Sequence, residues 1–237
     1  MMNITKLLIS AISIVSVLSP TLSAQSISRY EVNVGDFNEL NVIEGLKVDY
    51  VCSADSAGIA TFETTPEMAS LLMFTNNKEK LDIQIATDGI NYTGLPLITV
   101  RSRFLTKVSN SGDSLVRVLT VEPCANFKAR LIGNGQVAVH GVDANYVDCS
   151  LDTGNGVIAI DGKTQKAKFT LVGTGSIQAD DMMVSEAKCS LLGTGSIGCN
   201  VSTQLTVVGA SSGKVFYRGE PKIKNRSIGV KVFPIEE

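Results

Sequence analysis

Glycine doublets recur through the second half of the chain at a nearly constant interval. Four copies read ARLIGNGQVAV, CSLDTGNGVIAI, FTLVGTGSIQA and CSLLGTGSIGC, and a looser fifth copy reads VVGASSGKVFY. The second glycines of these doublets are Gly135, Gly156, Gly175, Gly195 and Gly213, with separations of 21, 19, 20 and 18 residues. A period of this length indicates a stacked repeat, in which each copy is one structural unit that packs on its neighbours.

Apolar residues keep a fixed phase relative to the second glycine. Two residues after it stand Val137, Ile158, Ile177, Ile197 and Val215. Before it recur Leu131, Leu151, Leu171 and Leu191, with a one-residue insertion near Thr153 in the second copy. Apolar residues alternate within each half of the unit, which predicts two strands that each bury one face. The doublet is the predicted corner between them, where the backbone needs a positive φ or a close approach to a neighbour.

Two architectures are compatible with such a unit: hairpins in a sandwich, or single coils of a parallel β-helix. Consecutive hairpins face different surroundings, whereas equivalent positions of a β-helix lie directly over one another, about 4.8 Å apart. Twenty residues at about 3.3 Å each give a perimeter near 66 Å, which is enough for three short strands and their corners. The recurrence of like residues therefore favours an all-β fold, a right-handed parallel β-helix with coils of about 20 residues.

The first 109 residues lack this glycine register. Residues 1–24 have the layout of a secretory signal peptide, with cleavage near Ala24–Gln25, so we expect an exported protein. The apolar run LLISAISIVSVL has twelve residues, too few to span about 30 Å of hydrocarbon, so no membrane span is expected after cleavage. Residues 25–109 are predicted to be β-rich, with a short helix in PEMASLLMF (66–74) and a loop in TDGINYTGLP (87–96). Residues 110–237 form the repeats, either as a separate part or as one solenoid with residues 25–109.

Residue counts and motifs exclude several functional classes. The chain carries 21 Lys+Arg against 23 Asp+Glu and has no basic cluster along the sequence, which argues against a nucleic-acid partner. His140 is its one histidine, so no zinc site or Ser–His–Asp arrangement is expected. The stretch GTGSIG matches a dinucleotide fingerprint, but β-like sequence follows it, and Arg218 stands where an acidic residue is needed. We therefore expect no catalytic residue, cofactor or metal.

The five cysteines do not form a disulfide framework. Cys149 and Cys189 occupy the same position two coils apart, about 9.6 Å, whereas a disulfide needs less than about 7 Å between Cα atoms. Cys199 lies beyond the corner on another strand. These three are predicted to be small buried apolar residues with free thiols. A pairing of Cys52 with Cys124 stays open.

Outward positions at the corners are the candidate ligand contacts. They form a predicted ladder of neutral hydroxyl and amide groups, which suits carbohydrate or protein surfaces: Asn134, Thr174, Thr194, Gln136, Ser176 and Ser196. Asp residues also follow the second strand at similar places: Asp143, Asp161, Asp180 and Asp181. They are interpreted as turn residues, with no arginine joining them, because Arg130 and Arg218 are expected in other positions. The alternative is a carboxylate site of a polysaccharide-acting enzyme.

Three further stretches of the sequence are informative: DFNELNVIEGLKVDYV, RSRFLTKVSNSGDSLV and SGKVFYRGEP. Together with the coils, they resemble the putative auto-transporter adhesin, head GIN domain family. The resemblance covers essentially the whole mature chain. It implies an exported protein of the kind common in Bacteroidetes, with a right-handed β-helical fold and no enzymatic activity. The family's corner is usually Gly-Ser-Gly, whereas this chain has GNG, GTG and SSG.

The sequence therefore predicts a non-enzymatic, adhesin-like binding or structural module of the periplasm, the outer-membrane surface or the extracellular space. Its expected partner is a glycan or an envelope protein. The alternatives are the polysaccharide-acting enzyme and a purely structural module that forms homo-oligomers through its open sheet edges. Ser56 and Ser114 stand in a short Asp-Ser-apolar pattern that exported Bacteroidetes proteins use for O-glycosylation, which makes them candidate modification sites.

Overall fold

A computed structural model describes residues 26–86 and 94–235. The chain is nearly all β, with 65% strand and 2% helix, and it forms a β-solenoid of about 6 turns whose coils lie about 20 residues apart. The predicted fold class is confirmed. The predicted signal peptide with its cleavage point, and most of the predicted loop 87–96, lie outside the described residues.

The first half contains ten short strands and one helix. Their bounds are β1 (Ser28–Asn33), β2 (Glu39–Val42), β3 (Lys47–Cys52), β4 (Ile59–Thr64), α1 (Pro66–Ala69), β5 (Leu72–Asn77), β6 (Lys80–Ile85), β7 (Leu97–Ser102), β8 (Lys107–Asn110), β9 (Leu115–Val118) and, as the eleventh element, β10 (Cys124–Leu131). The second half contains four strands of 14 to 16 residues, followed by three of 4 or 5 residues. Their bounds are β11 (Gln136–Leu151), β12 (Val157–Leu171), β13 (Ser176–Leu191), β14 (Ser196–Gly209), β15 (Lys214–Arg218), β16 (Lys222–Asn225) and β17 (Lys231–Pro234).

Each long strand contains two straight runs joined by a bend. In β11 the first run is 136–139 and the second run is 146–151, and the register to β12 shifts between Val139 and Val142. First runs pair in parallel through the stack β3–β9–β11–β12–β13–β14–β15–β17. Second runs pair in parallel through β2–β8–β10–β11–β12–β13–β14–β16. The glycine doublet is the corner between a second run and the next first run, as the sequence predicts.

The core consists of columns of like residues. The first-run column contains Val137, Ile158, Ile177, Ile197 and Val215, which are register partners in successive coils and at most 1% exposed. Leu131, Leu151, Leu171 and Leu191 form a second column at the end of the second run. Full burial of such a side chain is worth about 1.5–3 kcal/mol, so each coil adds a similar increment to stability.

The corner glycines are required because successive backbones come into contact. Gly175 and Gly195 lack positive φ angles. A Cβ atom added to either glycine would lie within 3.0 Å of the carbonyl oxygen of the corresponding glycine one coil below. Real Cβ atoms essentially never come that close to another heavy atom. The sequence predicted either a positive φ or a close backbone approach at the doublet. Close approach to the neighbouring coil is the reason for the second glycine.

The base of the solenoid has a different topology. The coil made by β2 and β3 lies between the coil of β6 and β7 and the coil of β8 and β9, so stacking order departs from chain order. Antiparallel strands flank this base, because β5 pairs with β6 and β4 pairs with both β7 and β1. The corner at residues 111–114, next to the predicted division at residue 110, lies between β8 and β9.

The predicted helix is correct at its start and wrong at its end. Thr65 caps α1, and Pro66 stands in its first turn. The helix stops at Ala69, whereas the sequence predicted it through Phe74. Strand β5 begins at Leu72 because Leu72 and Phe74 pair with Ile85 and Ile83 of β6.

All five cysteines are free thiols. In the second-run column the register places Phe169 between Cys149 and Cys189, which confirms the predicted spacing of two coils. Cys149, Cys189 and Cys199 are fully buried, whereas Cys52 and Cys124 are half-buried. Burial raises the pKa of the Cys149 thiol well above its usual range. A hydrogen bond with Cys199, and then burial, raises the pKa of Cys189.

Candidate binding groove

A shallow groove of about 530 Å³ runs across the outward face of the first runs. Outward side chains alternate with the buried column, so one row of the groove contains Ser176 and Ser196 and the next contains Gln178, Gly198 and Phe216. A titratable edge follows where the first runs end. It consists of His140, Asp161, Asp180 and Asp181. We call this surface the first-run groove.

Two clusters of polar contacts fix the side chains of the titratable edge. His140 Nδ1 lies 2.7 Å from Asp161 Oδ2, and the Gly141 N–H donates to Asp161 Oδ1 at 2.7 Å. In the next coils, guanidinium nitrogens of Arg218 lie 3.8 Å from Asp180 Oδ2 and 3.6 Å from Asp181 Oδ1. Each acid of the edge therefore has a cationic or hydrogen-bonding partner.

The prediction that no arginine joins these aspartates is wrong for Arg218. Register pairs Arg218 with Asn200, the outward residue that follows Cys199 on β14. On β13, Asp180 follows Ala179, the register partner of Cys199, and lies in the bulge after which Asn200 pairs with Met183. The Arg218 side chain is long enough to extend past the intervening Asn200 to the aspartates. Counting residues from the glycine doublet does not reveal this contact.

Gly198 gives the floor of the groove its shape. It is half-buried and stands outward between the buried residues Ile197 and Cys199, as the sequence predicts. A Cβ atom added there would lie 3.1 Å from Oδ1 of Asp180. The third glycine of GTGSIG therefore leaves room for a carboxylate in the groove, which is unlike the role of the two corner glycines.

The predicted neutral ladder is only partly continuous. Ser176 and Ser196 are register partners and line the first-run groove, but Val157 separates Ser176 from Gln136. Asn134, Thr174 and Thr194 are exposed at the corners.

Asn134 also stabilises the backbone of the next corner, because its Oδ1 accepts a hydrogen bond from the Asn155 N–H at 2.9 Å. Asn155 occupies the same middle position of its own doublet and is exposed. It belongs with the corner residues, and the GNG spacing was sufficient to identify it.

Asp143 does not join the other aspartates. Its Oδ2 lies 3.1 Å from Lys163 Nζ, and both line a second groove of about 550 Å³ on the bend between the runs. Register pairs Asp143 with Lys163 and Lys163 with Met183, beyond the bulge that follows the first run. The four aspartates therefore divide between two grooves.

An aromatic pair stands at the C-terminal end of the first-run groove, where Phe216 lines the groove. Phe216 stacks on Phe233 with ring centroids 5.8 Å apart, and Phe233 is 41% exposed. Phe233 is the register partner of Phe216, one coil beyond it. The sequence prediction missed this pair because β17 lies outside the five glycine copies.

The candidate modification sites lie in turns. Ser56 is half-buried in the turn before β4, and its hydroxyl bonds that of Ser53 at 2.9 Å. Ser114 is half-buried at the corner between β8 and β9, where its carbonyl oxygen accepts from Asn110 Nδ2. O-glycosylation at both positions stays a prediction.

Within residues 26–86 and 94–235 no group of three or more His, Cys, Asp and Glu side chains is arranged to hold a metal ion. The same residues contain no helix of the length and apolarity needed to cross a bilayer.

Solved structures share the fold at low sequence identity. A putative adhesin from Bacteroides fragilis is 20% identical with a TM-score of 0.78, and the match covers 90% of this chain and 98% of that one. A putative adhesin from Parabacteroides merdae is 16% identical with a TM-score of 0.72, covering 89% and 96%. A putative lipid binding protein from Parabacteroides distasonis is 18% identical with a TM-score of 0.70, covering 89% and 97%. These likenesses support the β-solenoid fold.

No functionally curated protein matches the sequence. The model of one family, described as putative auto-transporter adhesin, head GIN domain, matches residues 36–221. That match starts just before β2 and includes all five glycine corners and both rows of the first-run groove. The chain belongs to the putative auto-transporter adhesin, head GIN domain family, as the resemblance predicted.

Proposed function

We propose that this chain is a non-enzymatic, adhesin-like binding module of the cell envelope or cell surface, and that the first-run groove receives a neutral glycan or an extended protein segment. The observation that carries the proposal is the outward row of hydroxyl and amide groups beside an aromatic pair. Ser176, Ser196 and Gln178 offer hydrogen-bond donors and acceptors, and Phe216 offers apolar surface. Binding sites for small ligands combine these two features.

Family membership supports an exported location, together with the signal-peptide layout of residues 1–24. The periplasm, the outer-membrane surface and the extracellular space are all compatible with that layout. Surface proteolysis of intact cells, compared with lysed cells, distinguishes a surface protein from a periplasmic one.

The test is a glycan array and an overlay on envelope proteins with the protein from residue 25 onward, followed by affinity measurements on the best ligand. The double substitution Gln178→Ala/Ser196→Ala removes two side-chain contacts worth about 0.5–1.5 kcal/mol each, so affinity should fall about tenfold. The matched control is Gln165→Ala/Ser185→Ala, which removes the same two functional groups from the second groove. Absence of any ligand above background, or a larger loss in the control, would refute the proposal.

The titratable edge favours a second candidate function, an enzyme that acts on polysaccharides. Asp161, Asp180 and Asp181 meet on one groove with His140 and Arg218, and glycoside cleavage uses paired carboxylates. Release of reducing sugar or unsaturated product, abolished by Asp180→Asn or Asp181→Asn, would establish this function in place of the non-enzymatic one.

The open end of the solenoid favours homo-oligomer formation as an addition to binding. Strands β16 and β17 end the two stacks, and among the described residues β16 pairs only with β14 and β17 only with β15. Ile228 beside them is 78% exposed. Unpaired edges are templates for another chain. Light scattering should then give a dimer mass, and Ile228→Lys should return it to the monomer value.

A further inference from the structure

The outward face of the second runs carries a straight row of seven side chains, five of which are lysines. Each member of the row is the register partner of the next, from β8 through β16. Neighbouring strands are about 4.8 Å apart, so the six steps of the row span about 29 Å. We call it the lysine row; its members are Lys107, Lys128, Asp148, Lys168, Lys188, Thr206 and Lys224.

The rows on either side add further positive charge. Between β10 and β16 the three rows contain seven basic and two acidic side chains. The basic residues are Lys128, Arg130, Lys166, Lys168, Lys188, Lys222 and Lys224, and the acidic residues are Asp148 and Glu186. The sequence has no basic run, but stacking at a 20-residue period brings single lysines from successive coils onto one face.

Most of this charge is not neutralised locally. Arg130 pairs with Asp152 at 2.5 Å and Lys166 pairs with Glu186 at 3.6 Å. Among the described residues, no carboxylate oxygen lies within 4.0 Å of the ammonium groups of Lys128, Lys168, Lys188, Lys222 or Lys224. Within the row, Asp148 and Thr206 stand in place of a cation, and Lys107 at its first position pairs with Glu39 at 2.8 Å.

A row of hydroxyl groups runs beside the lysine row. Ser150, Thr170 and Ser190 are register partners in three successive coils. Thr170 Oγ1 is shielded from solvent and has no hydrogen-bond partner among the described residues. An unsatisfied hydroxyl costs free energy, but a shielded one is out of a ligand's reach. Hydrogen bonds from this row to a ligand would therefore come from the half-buried Ser150 and Ser190.

We propose that the lysine row is a second binding surface, separate from the first-run groove, and that its ligand is a linear acidic polysaccharide with carboxylate groups at regular intervals. Such a polymer presents anionic groups to the ammonium groups and sugar hydroxyls to the Ser150–Ser190 row. The periodic, straight arrangement matches a repeating linear ligand.

Two other polyanions fit this face less well. Single-stranded nucleic acid binds by stacking its bases on aromatic side chains, and Tyr146 is the only aromatic residue in the three rows between β10 and β16. An amphipathic membrane-binding surface inserts apolar side chains, whereas Val208 is the one aliphatic residue in those rows.

The experiment measures binding of the protein from residue 25 onward to polygalacturonate, which has one carboxylate per sugar. Methyl-esterified polygalacturonate is the comparison, because it keeps the backbone and lacks the charge. The acid form should bind at low ionic strength, with affinity that falls as salt rises. Lys168→Gln/Lys188→Gln removes two adjacent cations and should weaken binding about fivefold to tenfold.

The matched control is Lys214→Gln/Lys231→Gln, which removes two register-paired lysines from the first-run face and should leave binding unchanged. Gln178→Ala/Ser196→Ala should also leave it unchanged, which separates this proposal from that for the groove. Lys188→Gln/Lys224→Gln replaces the first variant if that one does not fold. Equal binding of the methyl ester, tighter binding of duplex DNA or phosphatidylglycerol vesicles, or equal losses in variant and control would overturn the proposal.

Discussion

The glycine-cornered coils and the base of the solenoid build their cores in different ways. In the coils, each buried position repeats at the next level, as in the column from Val137 to Val215. In the base the same column continues through Val116, Val48 and Ile98. An aromatic cluster is added beside it: Tyr30 stacks on Phe62 and Phe62 on Phe74. The coils gain stability from uniform neighbours, whereas the base depends on individual contacts between strands distant in sequence. Single substitutions can test this difference.

The largest effect is expected for truncation of the aromatic residue inside a column. Phe169→Ala leaves a cavity between Cys149 and Cys189, which are held in place by the coils above and below, so it should lower the free energy of unfolding by about 3–5 kcal/mol. Phe62→Ala in the base should cost less, because the half-buried Tyr30 and Phe74 can close over the site. Urea unfolding measures both, and a larger loss for Phe62→Ala would contradict the comparison.

The next largest loss of stability is expected at Gly195 but not at Gly198, although both belong to GTGSIG. Gly195→Ala places a Cβ against the Gly175 carbonyl oxygen and should cost about 2–3 kcal/mol, or prevent folding. Gly198→Ala meets only the movable carboxylate of Asp180 and should change stability by less than about 1 kcal/mol. Thermal unfolding of the two variants gives the answer. Equal losses would mean that the corner is not limited by backbone contact.

A single hydrogen bond in the base should give a smaller effect. The buried Tyr50 hydroxyl donates to Ser102 Oγ at 3.0 Å, and Ser102 donates to the Phe104 carbonyl oxygen at 3.1 Å. Burial raises the pKa of Tyr50 well above its usual range, which favours the protonated hydroxyl group that donates this bond.

Tyr50→Phe should therefore lower the free energy of unfolding by about 1–1.5 kcal/mol. Ser102→Ala and the double variant complete a cycle in urea unfolding. Additive losses would show that the two hydroxyl groups do not interact.

Sequence reasoning succeeded where equivalent residues stack and failed where contacts cross the repeat. The Leu131–Leu191 column, the corners and the free thiols follow from one period. To place Arg218 beside Asp180, one must know how many residues the bulge after each first run contains. The repeat period does not give that number. The position of the β2–β3 coil between later coils has no local sequence signal, because it depends on which strands of the base pair.

The last prediction concerns the thiols, whose modification distinguishes the two regions without perturbing the native state. Alkylation requires the thiolate, and a raised pKa reduces the thiolate fraction at a given pH. Cys149 and Cys189 are fully buried with raised pKa values, so they should resist alkylation until the coils unfold. Cys52 in the base is half-buried and should react in the native protein.

Burial raises the pKa of Cys124 too, so its alkylation should speed up as pH rises toward that pKa. Mass spectrometry of native and urea-unfolded samples counts the modified thiols. The unfolded protein should show at least three free thiols and, with all five cysteines reduced as in the structure, five. A mass two hydrogens lower, with Cys52 and Cys124 both protected from alkylation, would reveal that pair as a disulfide. Rapid native alkylation of Cys149 would instead show that the coils open more readily than the base, and would reverse the stability order expected from Phe169→Ala and Phe62→Ala.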